Sequence, residues 1–205
     1  MIQLKDNLRI GSGTLRSCYL HPGNAELIIK TPLDGLEKGA EANRNELTSY
    51  RKLIENHPDL LHISHCYEII DTNRCEGLVC DCIRDENGRV AQTIWDIVIF
   101  EETCDLRYII DVARSFCDYL ITNDIFLFDI NLKNIVLQLH SDGSYKPYAI
   151  DLKGPYDNHE FLQLSSRIKY LGRKKLRRRT EQLLERIRQF REQRVSLRLR
   201  ENQAE

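Results

Sequence analysis

The chain has 205 residues, 41% of them hydrophobic and 30% charged. That suits one globular domain, or a small two-lobed one, with a buried core, and it excludes an intrinsically disordered chain. No apolar run approaches the ~18 residues that cross a bilayer. Met1 to Asp6 lacks the charged start, apolar block and cleavage site of a signal peptide. Seven cysteines, an odd number without a small-scaffold spacing, predict reduced thiols and a cytoplasmic location. The net charge of −1 hides an asymmetry. Residues 167–205 carry 14 basic and 5 acidic side chains, a surplus of nine, which leaves residues 1–166 at −10.

In chain order, the first 30 residues predict strand, turn, strand, turn, strand. Leu8-Arg9-Ile10 leads into Gly11-Ser12-Gly13; Ser17 to Leu20 follows, then the turn His21-Pro22-Gly23-Asn24, then Leu27-Ile28-Ile29-Lys30. A helix over residues 40–55 is predicted from Leu47, Tyr50, Leu53 and Ile54, with Pro58 ending it. Cys66–Ile70 and Gly77–Ile83 predict two more strands, separated by the turn Asp71-Thr72-Asn73-Arg74. From about residue 92 the pattern turns helical. It is clearest in Leu106, Ile109, Ile110, Ala113, Phe116, Cys117, Leu120 and Ile121, one continuous apolar stripe. Two β-like runs follow, 135–139 and 145–150, and then a basic helical tail.

Three groups of residues carry chemistry. Asn134 opens one arm of the 135–150 hairpin and Asp151 closes the other, six residues on either side of the turn Ser141-Asp142-Gly143-Ser144. A symmetric hairpin sets the two opposite each other, with Cα atoms ~4.5–5.5 Å apart. There an amide oxygen and a carboxylate can share Mg²⁺. Lys30 ends an apolar strand, where its charge needs a partner, and Glu46 on the following helix is the natural one. Gly11-Ser12-Gly13 between two strands offers backbone amides to phosphates.

These parts, in this order, resemble the protein-kinase fold over residues 8–154. The Gly-rich loop corresponds to Gly11-Ser12-Gly13, and the lysine strand to Leu27 through Lys30 with Glu46 as its helix partner. The hinge is similar to Leu78 through Ile83, with Asp81 and Ile83 at the nucleotide. The catalytic loop is similar to Asp129 through Asn134, and the metal-binding motif to Asp151-Leu152-Lys153-Gly154. The resemblance implies that Asp129 takes the proton of an acceptor hydroxyl. It also implies that Asn134 and Asp151 hold Mg²⁺ and that Lys30 contacts the phosphates of ATP. More narrowly the chain resembles the YrbL family of bacterial kinase-like proteins, linked to the PhoP regulatory network. That likeness rests on Gly11 to Tyr19, Asn45-Glu46-Leu47, the catalytic-loop block and the basic tail. The implied fold is α+β and two-lobed: a five-stranded antiparallel lobe with one helix over 1–83, a reduced, mainly helical lobe over 84–166, and the tail over 167–205.

The pattern also departs from that of kinases. Arg16 stands in place of the third loop glycine, where it adds a phosphate contact or blocks closure, and Cys18 replaces the following valine. Leu127-Phe128 replaces the His-Arg before the catalytic aspartate, which removes the residue that answers a phosphorylated activation loop. Lys153 stands where the metal motif has its glycine, and Gly154 comes one place late. With 51 residues after Gly154 and no Ala-Pro-Glu, the peptide-gripping platform is absent or reduced. The acceptor is left open: a small hydroxyl compound, the protein itself or nothing. A possible ATP-dependent phosphotransferase therefore competes with an inert pseudokinase that binds nucleotide or a protein partner. A third possibility is a binder of nucleic acid or an anionic surface through residues 167–200.

Other features carry less. His62, His65, Cys66, Cys75, Cys80 and Cys82 contain zinc-ligand types, but no closed four-ligand spacing. Cys104 and Cys117 look structural, and Trp95 with Ile94, Ile97 and Val98 is expected in the core or a lobe interface. In the tail, Leu183, Leu184, Ile187 and Phe190 form an apolar stripe. It predicts a helix docked on the acidic body, its basic face solvated, in preference to a nucleic-acid or membrane contact.

Overall fold

The computed structural model describes residues 1–33, 37–127, 129–152 and 169–201, with side chains to Arg194. It is an α+β chain in two layers of different character. Five antiparallel strands form the first sheet: β1 (Arg9–Ser12), β2 (Arg16–His21), β3 (Asn24–Pro32), β4 (Cys66–Thr72) and β5 (Cys75–Asp81), in the order β1-β2-β3-β5-β4. Helix α1 (Glu37–Asn56) is inserted between β3 and β4 and packs on the face of β3, β5 and β4. Strand alternation sorts β3. Ile28 and Lys30 face α1 and the main core, while Ile29 points to a second cluster with Leu4, Tyr19 and Val79.

Among the described residues, the second half is built from a three-stranded sheet and three helices. Strand β6 (Gln92–Thr93) runs into α2 (Ile94–Phe100); α3 (Leu106–Thr122) follows; β7 (Ile135–Leu139) and β8 (Tyr145–Ala149) form the hairpin, in the order β6-β7-β8. Helix α2 opens on a reciprocal cap between Thr93 and Asp96, and Asp105 caps α3 by accepting from the amides of Arg107 and Tyr108. The expected stripe of α3 is real: Ile109, Ala113, Phe116, Cys117 and Leu120 are all buried. Parallel bridging of Ile63 to Ala149 ties the β4 approach to β8.

The tail is helix α4 (Lys169–Glu201), packed across α2 and α3. Leu176, Leu183, Leu184 and Ile187 are buried in the main core, and Phe190 meets Trp95 edge-on at 4.8 Å. At Gly172 the helix passes so close to Phe126 that a Cβ would lie 2.6 Å from its ring, so a side chain there would force the ring to shift.

Two sequence expectations need correction. Gly11 and Ser12 are not loop but the end of β1, with Ser12 opposite Ser17; the turn proper is Gly13 to Leu15, closed by the Gly13 amide on the Arg16 carbonyl at 2.8 Å. The 135–150 hairpin is not symmetric about residues 141–144. A five-residue loop, His140 to Ser144, is closed by the His140 amide on the Ser144 carbonyl, with Gly143 at φ 81°. Ile135 therefore pairs with Ala149, and the Asn134 carbonyl receives the Ile150 amide at 2.9 Å. Asp151 falls one residue beyond the position opposite Asn134, and a one-residue offset reverses the side a residue faces.

Candidate functional site

Lys30 and Glu46 meet in the interior. Lys30 Nζ donates to Glu46 Oε1 at 2.7 Å, and the residues are 7% and 2% exposed. The meeting follows from local periodicities. Lys30 shares the inward face of β3 with Ile28, and Glu46 lies one turn after Asn43 and one before Tyr50 on the buried face of α1. Asn43 braces the strand by donating to the Lys30 carbonyl at 2.8 Å. Burial works against both charges. For Lys30, the Glu46 carboxylate and other neighbours turn the shift upward. For Glu46, Lys30 and Arg16 hold the carboxyl below its ordinary value.

The same carboxylate reaches across to the second half. Glu46 Oε1 also accepts the Leu152 amide at 3.1 Å, and Glu46 Oε2 accepts from Arg16 at 2.5 Å. The other arm of the Arg16 guanidinium pairs with Asp151. Asp151 adopts a left-handed φ of 60°, a region that aspartate tolerates better than most residues. Asp151 lines one small cavity together with Asp129 and Asn134, despite the hairpin offset. The loop holding Asp129 is stitched by its own amides: Asn131 donates to Asp129 Oδ1 at 2.7 Å, and Asn134 donates to the Asp129 carbonyl at 3.3 Å. Phe116, Leu127 and Ile135 give the cavity apolar walls.

Two contributors lie outside the expected set: Asn43, marked only by its spacing from Glu46, and the Leu152 amide, which no sequence pattern marks. The bridge from Arg16 to Asp151 is likewise not implied by the loop motif. A Cβ at Gly11 would meet nothing within 4 Å, so packing does not demand glycine there. At the hinge, Asp81 is braced by Tyr67, which donates to Oδ1 at 2.6 Å, and by the His65 amide on Oδ2 at 2.8 Å. The Asp81 amide goes to the His65 carbonyl and the Ile83 carbonyl accepts the Ala91 amide. Phe128, Lys153 and Gly154 lie outside the described residues.

The zinc-type residues are divided. His62 contacts the Pro147 carbonyl at 2.7 Å, His65 leans on Asp81, and Cys75 is exposed. Cys66 and Cys80 lie side by side next to Glu46, with the Cys66 thiol pushed up by its contact with Cys80 and by burial. Cys18, opposite Lys30, is pushed up by burial to about 12. These thiols pack as small apolar groups.

The family model described as PhoP regulatory network protein YrbL matches residues 2–188. The chain belongs to this YrbL family. Over 155 residues it is 27% identical to a protein of Escherichia coli strain K12 named uncharacterized protein YrbL, covering 74% of this chain and 72% of that one. A Shigella flexneri protein of the same name matches equally. Among solved structures, the kinase domain of Mycobacterium tuberculosis PknI overlays with a TM-score of 0.45 at 15% identity, covering 71% of this chain and 57% of that domain. WbdD, solved with a kinase inhibitor, overlays at 0.44 and 12% identity, over 71% of this chain and 33% of that one. The chain thus spans a little over half of the first structure and a third of the second. No helix among the described residues is long and apolar enough to cross a membrane.

Proposed function

We propose that the cleft between the five-stranded sheet and the helical half binds ATP with Mg²⁺ and transfers the γ-phosphoryl group to a hydroxyl acceptor. One observation carries the proposal. Lys30, Glu46, Arg16 and Asp151, four residues far apart in the chain, form one continuous chain of ion pairs. That chain ends at the cavity shared by Asp129 and Asn134.

The donor set suits a hard divalent ion: Asn134 and Asp151 offer oxygens at one cavity, and Asp151 already holds a cationic group. Bound there, Mg²⁺ would supply charge neutralisation for the phosphoryl oxygens. Glu46 keeps the Lys30 ammonium charged and aimed, so that it can hold phosphate oxygens without rearranging. Gly11 and Gly13 place no side chain between the backbone and the phosphates, Ser12 adds a hydroxyl beside them, and Asp81 and Ile83 border the nucleobase position. Asp129 is held by Asn131 and orients the acceptor hydroxyl. The acceptor oxygen bonds to the γ-phosphorus as the bond from phosphorus to the ADP oxygen breaks, and the hydroxyl proton passes to the Asp129 carboxylate.

The test is single-turnover transfer from γ-labelled ATP, with nucleotide affinity measured in parallel by calorimetry. Asp129→Ala is expected to slow transfer about 10²–10⁴-fold with affinity kept, and Lys30→Ala to weaken binding. Unchanged transfer in the first variant removes Asp129 from the chemistry. A second proposal, nucleotide binding without transfer, is favoured by the Arg16–Asp151 pair, which occupies the carboxylate that the reaction needs. Wild-type protein that binds ATP yet yields no labelled product establishes it.

A further inference from the structure

From the start of β2 the Arg16 side chain turns inward, between α1 and Asp151. Its side chain is 13% exposed, and Nη1 donates to Asn43 Oδ1 at 3.0 Å and to Glu46 Oε2 at 2.5 Å, while Nη2 pairs with Asp151. Without it Glu46 keeps two donors, the Lys30 ammonium and the Leu152 amide, both on Oε1. Charge around the junction is balanced: the carboxylates of Glu46 and Asp151 against Lys30 and Arg16. A divalent ion arriving at Asp151 meets a guanidinium in hydrogen-bond contact with the same carboxylate, and like charges at that range repel strongly.

Resting on the nucleotide site proposed above, we propose that Arg16 is the resident cation of the cleft. It holds Asp151 in place of a divalent ion, and it transfers to the phosphates of the nucleotide when that ion is taken up. The geometry gives it somewhere to go. Arg16 begins β2 directly after the Gly13–Leu15 turn, and its own carbonyl is bonded to the Gly13 amide. Rotation of the side chain would carry the guanidinium away from Asp151 toward phosphates bound beside the Gly13–Leu15 turn. Its planar fork suits a phosphate as well as a carboxylate. Arg16 therefore opposes metal binding in the empty protein and supports nucleotide binding in the absence of metal. These two effects have opposite signs, and a merely structural arginine would not produce both.

The experiment titrates Mn²⁺ alone, read by electron paramagnetic resonance of the free ion, and ATP in excess EDTA, read by calorimetry, on full-length protein. Arg16→Gln is expected to tighten Mn²⁺ binding about tenfold or more and to weaken metal-free ATP binding by a similar factor. Asp151→Asn is expected to abolish the Mn²⁺ site. If Mn²⁺ binding needs Asp151 but is unchanged in Arg16→Gln, this inference is overturned and the nucleotide site stands. If no protein binds Mn²⁺ or ATP, both fall. Should Arg16→Gln fail to fold, Arg16→Lys keeps the charge without the two-armed reach, and Mn²⁺ affinity equal to wild type in that variant overturns the inference.

Discussion

Arginines at the two ends of this chain answer different partners. In the cleft, Arg16 is nearly enclosed and spends its donors on side chains, two carboxylates and an amide. On α4, Arg191 and Arg194 lie partly exposed and spend theirs on peptide oxygens. Arg191 donates to the carbonyls of Val98, Glu101 and Glu102, and Arg194 to those of Phe100 and Glu101, the unsatisfied C-terminal end of α2. Arg173 and Lys169 pair with Asp124 just after α3, and Arg179 donates to the Leu127 carbonyl. Much of the positive tail thus completes helix ends and turns of the acidic body. The charges around Arg16 face one another in the proposed nucleotide site; the tail charges meet the ends of neighbouring elements.

The sharpest way to break this contrast is to remove Glu46. Glu46→Ala strands Lys30 and Arg16 and leaves the Leu152 amide without its acceptor. Removing one partner of a buried pair costs about 3–5 kcal/mol, which denaturant unfolding would register. A loss below about 1 kcal/mol would mean that water already screens the network. The pH profile adds a sign. The folded pKa of Glu46 lies below its ordinary 4.5, so its contribution is present above that value and is lost as pH falls through the folded one. The folded pKa of Lys30 lies above its ordinary 10.5, so its contribution is present below that value and is lost as pH rises through the folded one. The stability difference between wild type and Glu46→Ala should shrink as pH falls below about 4.5. It should also shrink as pH rises and the variant's stranded Lys30, its charge disfavoured by burial, gives up its proton. A difference that keeps its full size on the acid side would place its origin elsewhere.

A second test of nearly equal size concerns the tail. Leu184 is wholly buried in the main core, so Leu184→Ala should cost about 2–5 kcal/mol. A near-zero cost would return α4 to the status of a detachable arm.

The order of strands, the α1 insertion and the α3 and α4 stripes were legible because alternation and helical spacing are local. Lys30 and Glu46 were legible for the same reason: each sits on the apolar face of its own element, and a buried lysine needs a counter-charge. Three features were not. The hairpin offset depends on whether His140 joins the strand or the loop, a choice made by one backbone bond to Ser144. The Arg16 bridge to Asp151 spans 135 positions and depends on how the lobes close. The pairing of tail arginines with carbonyls leaves no trace in a charge count, since the partners are peptide groups.

The smallest effect is the most discriminating for the tail. Arg191→Ala with Arg194→Ala removes five bonds to the end of α2. Charge at a helix C-terminus is worth about 0.3–1 kcal/mol per group at exposed sites, so the double variant should lose about 1 kcal/mol, read as a lower thermal midpoint. Arg177 and Arg178 are exposed on the same helix, and removing both deletes the same formal charge. If α4 charge acts through the carbonyls it caps, the first double variant is destabilised and the second stays within the scatter of surface substitutions. Equal losses would instead mean that the tail is held by the general attraction between a +9 segment and a −10 body. That loss would fade for both variants as salt is raised toward 1 M, where the screening length falls to about 3 Å.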